Sequence, residues 1–225
     1  MLILAFETSA KAASVALHDG QKLLGESYQN TGLTHSQTLM VMAEDVLKQC
    51  GKTAADVTAV AVAEGPGSFT GVRIGVAAAK GFAWGAELPC FGLSTLEAMA
   101  ENLGIYQGYV CPVMDARRSQ VYNAMFYVNQ GVITRVTPDR AIALADLGAE
   151  LKNLSEPVFL VGDGSNLCYN TLLEEVPNLA LLAAKQAALG IAPGGAGLTP
   201  NYLRLSQAER EKLEKVQKAE CRIQN

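Results

Sequence analysis

Apolar and polar positions along the chain switch between two periods, and the switching predicts a mixed α/β protein. Residues 2–6 form an unbroken apolar run ending at Glu7, the pattern of a strand buried on both faces. Residues 13–18 and 22–28 flank Asp19-Gly20, a turn pair that predicts a β-hairpin. A helix follows. Thr34 or Ser36 can cap it, apolar residues fill 39–43 and recur at Val46 and Leu47, and Gly51 ends it. Residues 59–63 read as a second buried strand, leading into the turn Gly65-Pro66-Gly67-Ser68-Phe69-Thr70-Gly71 and a helix over about 70–85.

The second half repeats this order. A strand at 109–114 ends at Asp115, a hairpin of 120–128 and 132–136 crosses Asn129-Gln130-Gly131, and a helix follows around 142–152. A strand at 158–161 then meets a second glycine turn, Gly162-Asp163-Gly164-Ser165. The acidic residue and the glycine turn stand 58 positions apart in the first half (Glu7 to Gly65) and 47 in the second (Asp115 to Gly162), a difference that loop lengths absorb. The chain therefore reads as two lobes, each β-β-β-α-β-α, joined near 102–108. A duplication of this order is similar to the actin-like (ASKHA, ribonuclease H-like) superfamily. The expected divisions are an N-terminal lobe at 1–104 carrying partner-binding helices, a C-terminal lobe at 105–205 and a charged tail at 206–225.

Charge narrows the function classes. The formal net charge is −4, and residues 1–203 carry −6, from 12 basic and 18 acidic residues. Nucleic-acid binding by the body of the protein is disfavoured, because phosphate contacts need clustered Lys and Arg. Basic residues concentrate in the tail, where Ser206 and Glu209 form a capping box and, over 209–216, only Leu213 and Val216 interrupt the charges. No apolar run approaches the about 18 residues of a membrane span, so the expected location is cytoplasmic, with no membrane partner. Cys50, Cys90, Cys111, Cys168 and Cys221 form no C-x-x-C pair and read as small hydrophobes in a reducing compartment.

Glu7 and Asp115 end the first strands of the two lobes, where a carboxylate can hold a metal. The glycines Gly65, Gly67, Gly162 and Gly164 sit where backbone amides can reach an anion. These six residues are the candidate, vestigial nucleotide site. The first turn is neither a Walker loop, since no Lys-Ser or Lys-Thr follows Gly71, nor a dinucleotide fingerprint, since its spacing is G-x-G-x-x-x-G. A tight strand-to-helix connection and a phosphate cradle both remain open for it. Asp115 with Arg117-Arg118 likewise reads as a strand-end ion pair or as a ligand group.

The segments Ile3-Leu4-Ala5-Phe6-Glu7-Thr8-Ser9, Gly65-Pro66-Gly67-Ser68-Phe69-Thr70-Gly71-Val72-Arg73-Ile74-Gly75, Asp115-Ala116-Arg117-Arg118 and Tyr202-Leu203-Arg204 together resemble the bacterial tRNA threonylcarbamoyladenosine biosynthesis family TsaB (YeaZ). The resemblance implies a non-catalytic subunit that pairs with the catalytic paralogue TsaD and is joined by the ATPase TsaE. That assembly transfers threonylcarbamoyl from threonylcarbamoyl-AMP to the adenosine next to the anticodon of ANN-reading tRNAs. It further implies a homodimer when TsaD is absent, tRNA contact only through the complex, no cofactor beyond weak ATP or ADP binding at the subunit interface, and no metal. TsaD carries H-x-x-x-H after a Gly-Val-Asn strand end, and the matching positions here are Thr95 and Met99, neither a ligand for a catalytic divalent cation. The family usually has Asp where this chain has Glu7. The two histidines, His18 and His35, lie 17 positions apart at a hairpin turn and a helix start and read as polar surface or capping residues.

Two helices are apolar beyond what one buried stripe needs. Leu39, Met40, Ala43 and Leu47 on the first, and Val72, Gly75, Val76 and Ala79 on the second, form the candidate partner interface. The glycines at 71, 75, 81 and 85 would let a partner helix approach closely. On this reading Val72→Glu or Val76→Glu abolishes the complex. The competing functions are a free-standing ATPase, kinase or protease of the same superfamily, opposed by the missing histidine pair, the Glu7 substitution and the lack of any Ser-His or Cys-His arrangement, and a direct tRNA-binding module, disfavoured by net charge.

Overall fold

In the computed structural model, which describes residues 1–172 and 179–181, β1 (Ile3–Glu7) runs parallel to β4 (Ala59–Gly65) at the centre of a five-stranded sheet. Both strands are covered on two faces, which is why neither shows polar alternation. Leu4, Phe6, Val60 and Val62 point into a core roofed by two helices, while Ile3, Ala5, Ala59 and Ala61 point into a smaller cluster on the opposite face. β2 (Ala13–His18) and β3 (Leu23–Gln29) form the antiparallel hairpin, and β5 (Cys90–Ser94) pairs with β4, giving the order β3-β2-β1-β4-β5.

The roof consists of α1 (His35–Gln49) and α2 (Phe69–Gly85). Thr34 occupies the cap position of α1 without a side-chain bond, and Gly51 takes a left-handed φ of 65° after the last turn. The five successive apolar residues at 39–43 resolve by facing. Leu39, Met42 and Ala43 are buried, and Met40 and Val41 are exposed.

The second sheet is built on the same plan. β6 (Gly108–Arg117) is its first strand, β7 (Gln120–Asn123) the second, β10 (Arg140–Ala143) the third, and β11 (Val158–Val161) and β12 (Leu179–Leu181) the parallel pair, in the order β10-β7-β6-β11-β12. This is the N-terminal order again, so the duplicated actin-like arrangement is present. α3 (Thr95–Glu101) follows β5, and α4 (Leu144–Lys152) and α5 (Ser165–Leu172) follow β10 and β11.

Two assignments from the sequence change. The segment 120–128 is not one strand; it breaks at Ala124-Met125 into β7 and β8 (Phe126–Asn129). β8 turns through Gln130-Gly131, both at positive φ, into β9 (Val132–Arg135), a hairpin with no counterpart in the first lobe. The third strand is instead β10, so Ile142 lies in a strand and the helix begins two residues later. Four half-buried residues running directly into a helix carry no period-two signal.

Cys111 and Cys168 are buried in the second lobe. Burial pushes both thiols up, Cys168 to about 12, so neither is a thiolate near neutral pH. The tail at 206–225, with Ser206, Glu209, Leu213 and Val216, lies outside the described residues, as do Cys221 and Tyr202-Leu203-Arg204. Among the described residues no helix is long and apolar enough to cross a membrane.

Of the eight candidate interface residues, seven are buried within this lobe. Leu39, Ala43, Leu47, Val72, Val76 and Ala79 form its core, Gly75 is buried against Thr8, and Met40 alone is exposed. A glutamate at Val72 or Val76 therefore enters the core of this lobe rather than a partner surface. Val76 is 4% exposed within the apolar core, so a carboxylate there would be buried among apolar side chains. Val76→Glu is expected to unfold the lobe, at a cost of about 3 kcal/mol or more, seen as loss of the cooperative melt in circular dichroism; a native melt would show the site to be accessible.

Candidate functional site

The first glycine turn is shaped by the backbone it lies against. β4 ends at Gly65 with a φ of 114°, and the Ser68 amide then donates to the Ser9 carbonyl at 2.6 Å. A Cβ on Gly67 would collide with Ser9, one on Gly71 with the Thr8 carbonyl, and one on Gly75 with the Thr8 hydroxyl. Thr8 Oγ1 in turn donates to the Gly71 carbonyl at 2.8 Å. Glycine at three positions four residues apart lets α2 lie directly on the loop after β1. Three amides at this helix start are already engaged: Ser68 on Ser9, Gly71 on Ser68 Oγ at 3.3 Å, Val72 on the Ser68 carbonyl at 2.9 Å.

The second turn repeats the contact. Gly162 has a φ of 111° and presses on the Val113 carbonyl and on the methyl of Met99, which arrives from α3. The Gly164 amide donates to the Val113 carbonyl at 3.1 Å, and Asp163 Oδ1 accepts from the Asp115 amide at 3.2 Å. Each lobe thus fixes its glycine turn on the end of its own first strand.

Between the two turns lies a cleft of about 740 Å³, with Ser9, Lys11 and Thr70 on one side and Asp115, Arg117 and Asp163 on the other. Its carboxylates are committed. Asp115 accepts from the Arg117 amide at 2.7 Å and pairs with Arg117 Nη1 at 2.9 Å. Burial raises the Asp163 carboxyl, reinforced by the nearby Asp115 charge and opposed by the hydrogen bond from the Asp115 amide. Glu7 is buried and accepts from the Ser9 amide; burial pushes its carboxyl up, against the lowering effect of Ser9 and of the His35 charge. Arg117, Arg118 and Ser119 all have positive φ, an uncommon run for residues with side chains. A magnesium–nucleotide does not fit this arrangement, because the strand-end carboxylate is turned onto its own loop in one lobe and onto an arginine in the other.

Thr95 and Met99 are 1% and 4% exposed. Met99 belongs to an apolar cluster with Val110, Met114 and Phe126, and Ser94 caps α3 by accepting from the Glu97 amide at 3.1 Å. His18 and His35 stay at the hairpin turn and the helix start, where His18 Nδ1 accepts from the Gly20 amide at 2.9 Å and His35 Nε2 lies 3.0 Å from the Ala10 carbonyl.

A second candidate surface is the outer side of the helical roof. Ala77, Gly81 and Gly85 form an exposed row on α2, and added Cβ atoms on the two glycines would meet nothing within 4 Å. Beside that row, Met40, Leu47, Lys48 and Phe82 line a groove of about 650 Å³ between the helices. Sequence reasoning grouped all four glycines of α2 together, and the structure splits them. Gly71 and Gly75 face Thr8, and Gly81 and Gly85 face outward. Trp84, 87% exposed, went unnoticed, although it continues the outward row of Arg73, Ala77 and Lys80 at helical spacing.

One pair of glycine variants and one variant of Glu7 test the inner contacts. Gly71→Ala sets a methyl against a backbone carbonyl and should cost about 1–3 kcal/mol, whereas Gly81→Ala, in open space, should add about 0.5–1 kcal/mol; thermal melts that do not separate the two would contradict the contact. The raised Glu7 carboxyl favours the native state fully below its unfolded value near 4.5, and that contribution is lost as pH rises through the folded value. Glu7→Gln should therefore melt higher than the parent at pH 7–8, with the gain shrinking toward pH 4; a gain that grows on acidification would reverse the assignment.

A family profile described as TsaD, tRNA N6-adenosine threonylcarbamoyltransferase, matches residues 29–211. The chain is 33% identical over 231 residues to the tRNA threonylcarbamoyladenosine biosynthesis protein TsaB of Bacillus subtilis, covering 95% of this chain and 99% of the relative. It is 37% identical over 168 residues to TsaB of Escherichia coli, covering 73% and 72%. A crystal structure from Pseudomonas aeruginosa, described as an uncharacterized protein with similarity to peptidase YeaZ, superposes with a TM-score of 0.71 at 26% identity, over 90% of this chain and 99% of that one. YeaZ from the same organism gives 0.66 at 27% identity, over 83% and 87%. With the duplicated fold and the glycine turns in place, these likenesses show that the chain belongs to the TsaB (YeaZ) family of tRNA threonylcarbamoyladenosine biosynthesis proteins.

Proposed function

We propose that the chain is a non-catalytic subunit of tRNA threonylcarbamoyladenosine biosynthesis that works by pairing with the catalytic paralogue TsaD through the outer side of α1 and α2. The observation that carries this reading is the exposed row Ala77, Gly81 and Gly85 beside the groove of Met40 and Phe82. A small, uncharged row on one helix lets another helix approach to about 8 Å between axes, and the flanking groove takes larger side chains from it. Two further features support the absence of chemistry in this chain. The positions matching the TsaD histidine pair hold Thr95 and Met99, both buried, with Met99 in an apolar cluster, and the carboxylates of Glu7 and Asp115 are bonded to the chain itself. TsaE is the third member of the assembly, a second copy of the chain takes the same surface when TsaD is absent, and tRNA is met only in the complex.

The test uses residues that the fold does not need. Gly81→Glu and Met40→Glu should melt no more than about 0.5 kcal/mol below the parent, as surface changes do, and should abolish co-elution with TsaD in size-exclusion chromatography. Unchanged co-elution of both folded variants would remove this face from the interaction. ATP turnover by the purified chain alone, at a rate matching the full assembly, would overturn the non-catalytic reading.

A further inference from the structure

We propose that the β8–β9 hairpin, the element that breaks the symmetry between the lobes, is a strap that welds them at one fixed angle, so that the central cleft does not open and close. The apolar half of the weld lies under α3. Leu96, Met99 and Leu103 share one cluster with Val110, Phe126 and Val128, the last two from the hairpin strand β8. α3 follows the last strand of the first sheet, and it is buried on strands of the second. A hinge between lobes needs a surface that can be wetted when they part; this one is a continuous core, and exposing it would return several large apolar side chains to water.

The polar half lies over the same helix. Arg135, the last residue of β9, reaches Glu97 on α3 with Nη2 at 2.6 Å and Asp139 with Nη1 at 2.6 Å. Asp139 Oδ2 accepts from Ser94 Oγ at 2.6 Å, and the same hydroxyl caps α3. The Arg135 guanidinium also lies 4.7 Å from the centroid of Phe126, within the apolar cluster. The Asp139 side chain is 9% exposed, so its two partners hold a carboxylate largely out of water. Ser94 and Glu97 come from one side of the joint and Arg135 and Asp139 from the other, so the lobes cannot part without breaking the Arg135–Glu97 ion pair and the Ser94–Asp139 hydrogen bond together.

Two features outside the strap agree. Met99 fills the space over Gly162, so the second glycine turn is closed by a side chain from the opposite half of the chain. Gly104 lies 3.4 Å, by an added Cβ, from Ile133 of β9, which brings the end of the joining segment onto the hairpin as well.

Hydrogen exchange on the full chain tests the strap. Arg135→Ala and Asp139→Ala are compared with Arg140→Ala, which breaks an ion pair with Glu150 confined to the second lobe. In the parent, amides of α3 should exchange only with global unfolding. In the two strap variants they should exchange at least about tenfold faster, together with cleft amides at 67–71 and 115–119, while β1 and β4 stay protected. Arg140→Ala should leave these segments unchanged. Should either strap variant fail to fold, Glu97→Gln, which removes one ion pair, should show the same ordering at smaller amplitude. The proposal is overturned if α3 already exchanges by a low-energy opening in the parent, if the strap variants leave it within about twofold, or if faster exchange spreads evenly over both sheets.

Discussion

The structure depends on one contact made twice: a glycine turn lying on the backbone at the end of a lobe's first strand. In the first lobe the row of Gly67, Gly71 and Gly75 brings α2 against Thr8 and Ser9, with no side chain between them. In the second, Gly162 and Gly164 lie on 113–115 in the same way. The contact sets where each following helix starts, and so sets the width of the cleft and the tilt of the roof. It also answers what the glycines are for. The carbonyls of Ser9, Thr8 and Val113 lie where Cβ atoms on Gly67, Gly71 and Gly162 would be, and the Ser68, Gly71 and Gly164 amides donate to Ser9, Ser68 and Val113.

Much of the architecture was legible because it rests on local patterns. Buried strands at 2–6 and 59–63 show unbroken apolar runs, Asp19-Gly20 and Gln130-Gly131 mark hairpins, and Gly51 ends a helix. The duplication followed from element order alone. β5 and β10 were not legible, since Cys90–Ser94 contains a glycine and Arg140–Ala143 is half-buried throughout, so neither alternates. The hairpin β8–β9 was visible but took the wrong role. Its seat beside the N-terminal half of β6 is a matter of register, which the sequence pattern does not encode when both faces of a strand are partly covered.

The candidate site divides along similar lines. Acidic residues at strand ends were placed correctly, but whether a carboxylate points into a cleft or back onto its own loop depends on a side-chain torsion that no spacing reveals. Glu7 bonds to Ser9, two residues on, and Asp115 to Arg117, also two residues on. On the helices, apolar richness signalled two covered sides without saying which residue belongs to which. Met40 faces out between Leu39 and Ala43, which face in, and the glycines of α2 split four and four residues apart between an internal and an external use.

The actin-like scaffold therefore packs its glycine turns on its own backbone and leaves Met40, Ala77, Gly81 and Gly85 exposed on the outer side of α1 and α2. The most direct test is a hydrogen-exchange footprint of the full chain with and without TsaD. The account predicts new protection on 37–48 and 74–85, the outer side of α1 and α2, with the cleft segments 67–71 and 115–119 unchanged. Protection confined to those cleft segments, with the helical face exchanging as before, would contradict it.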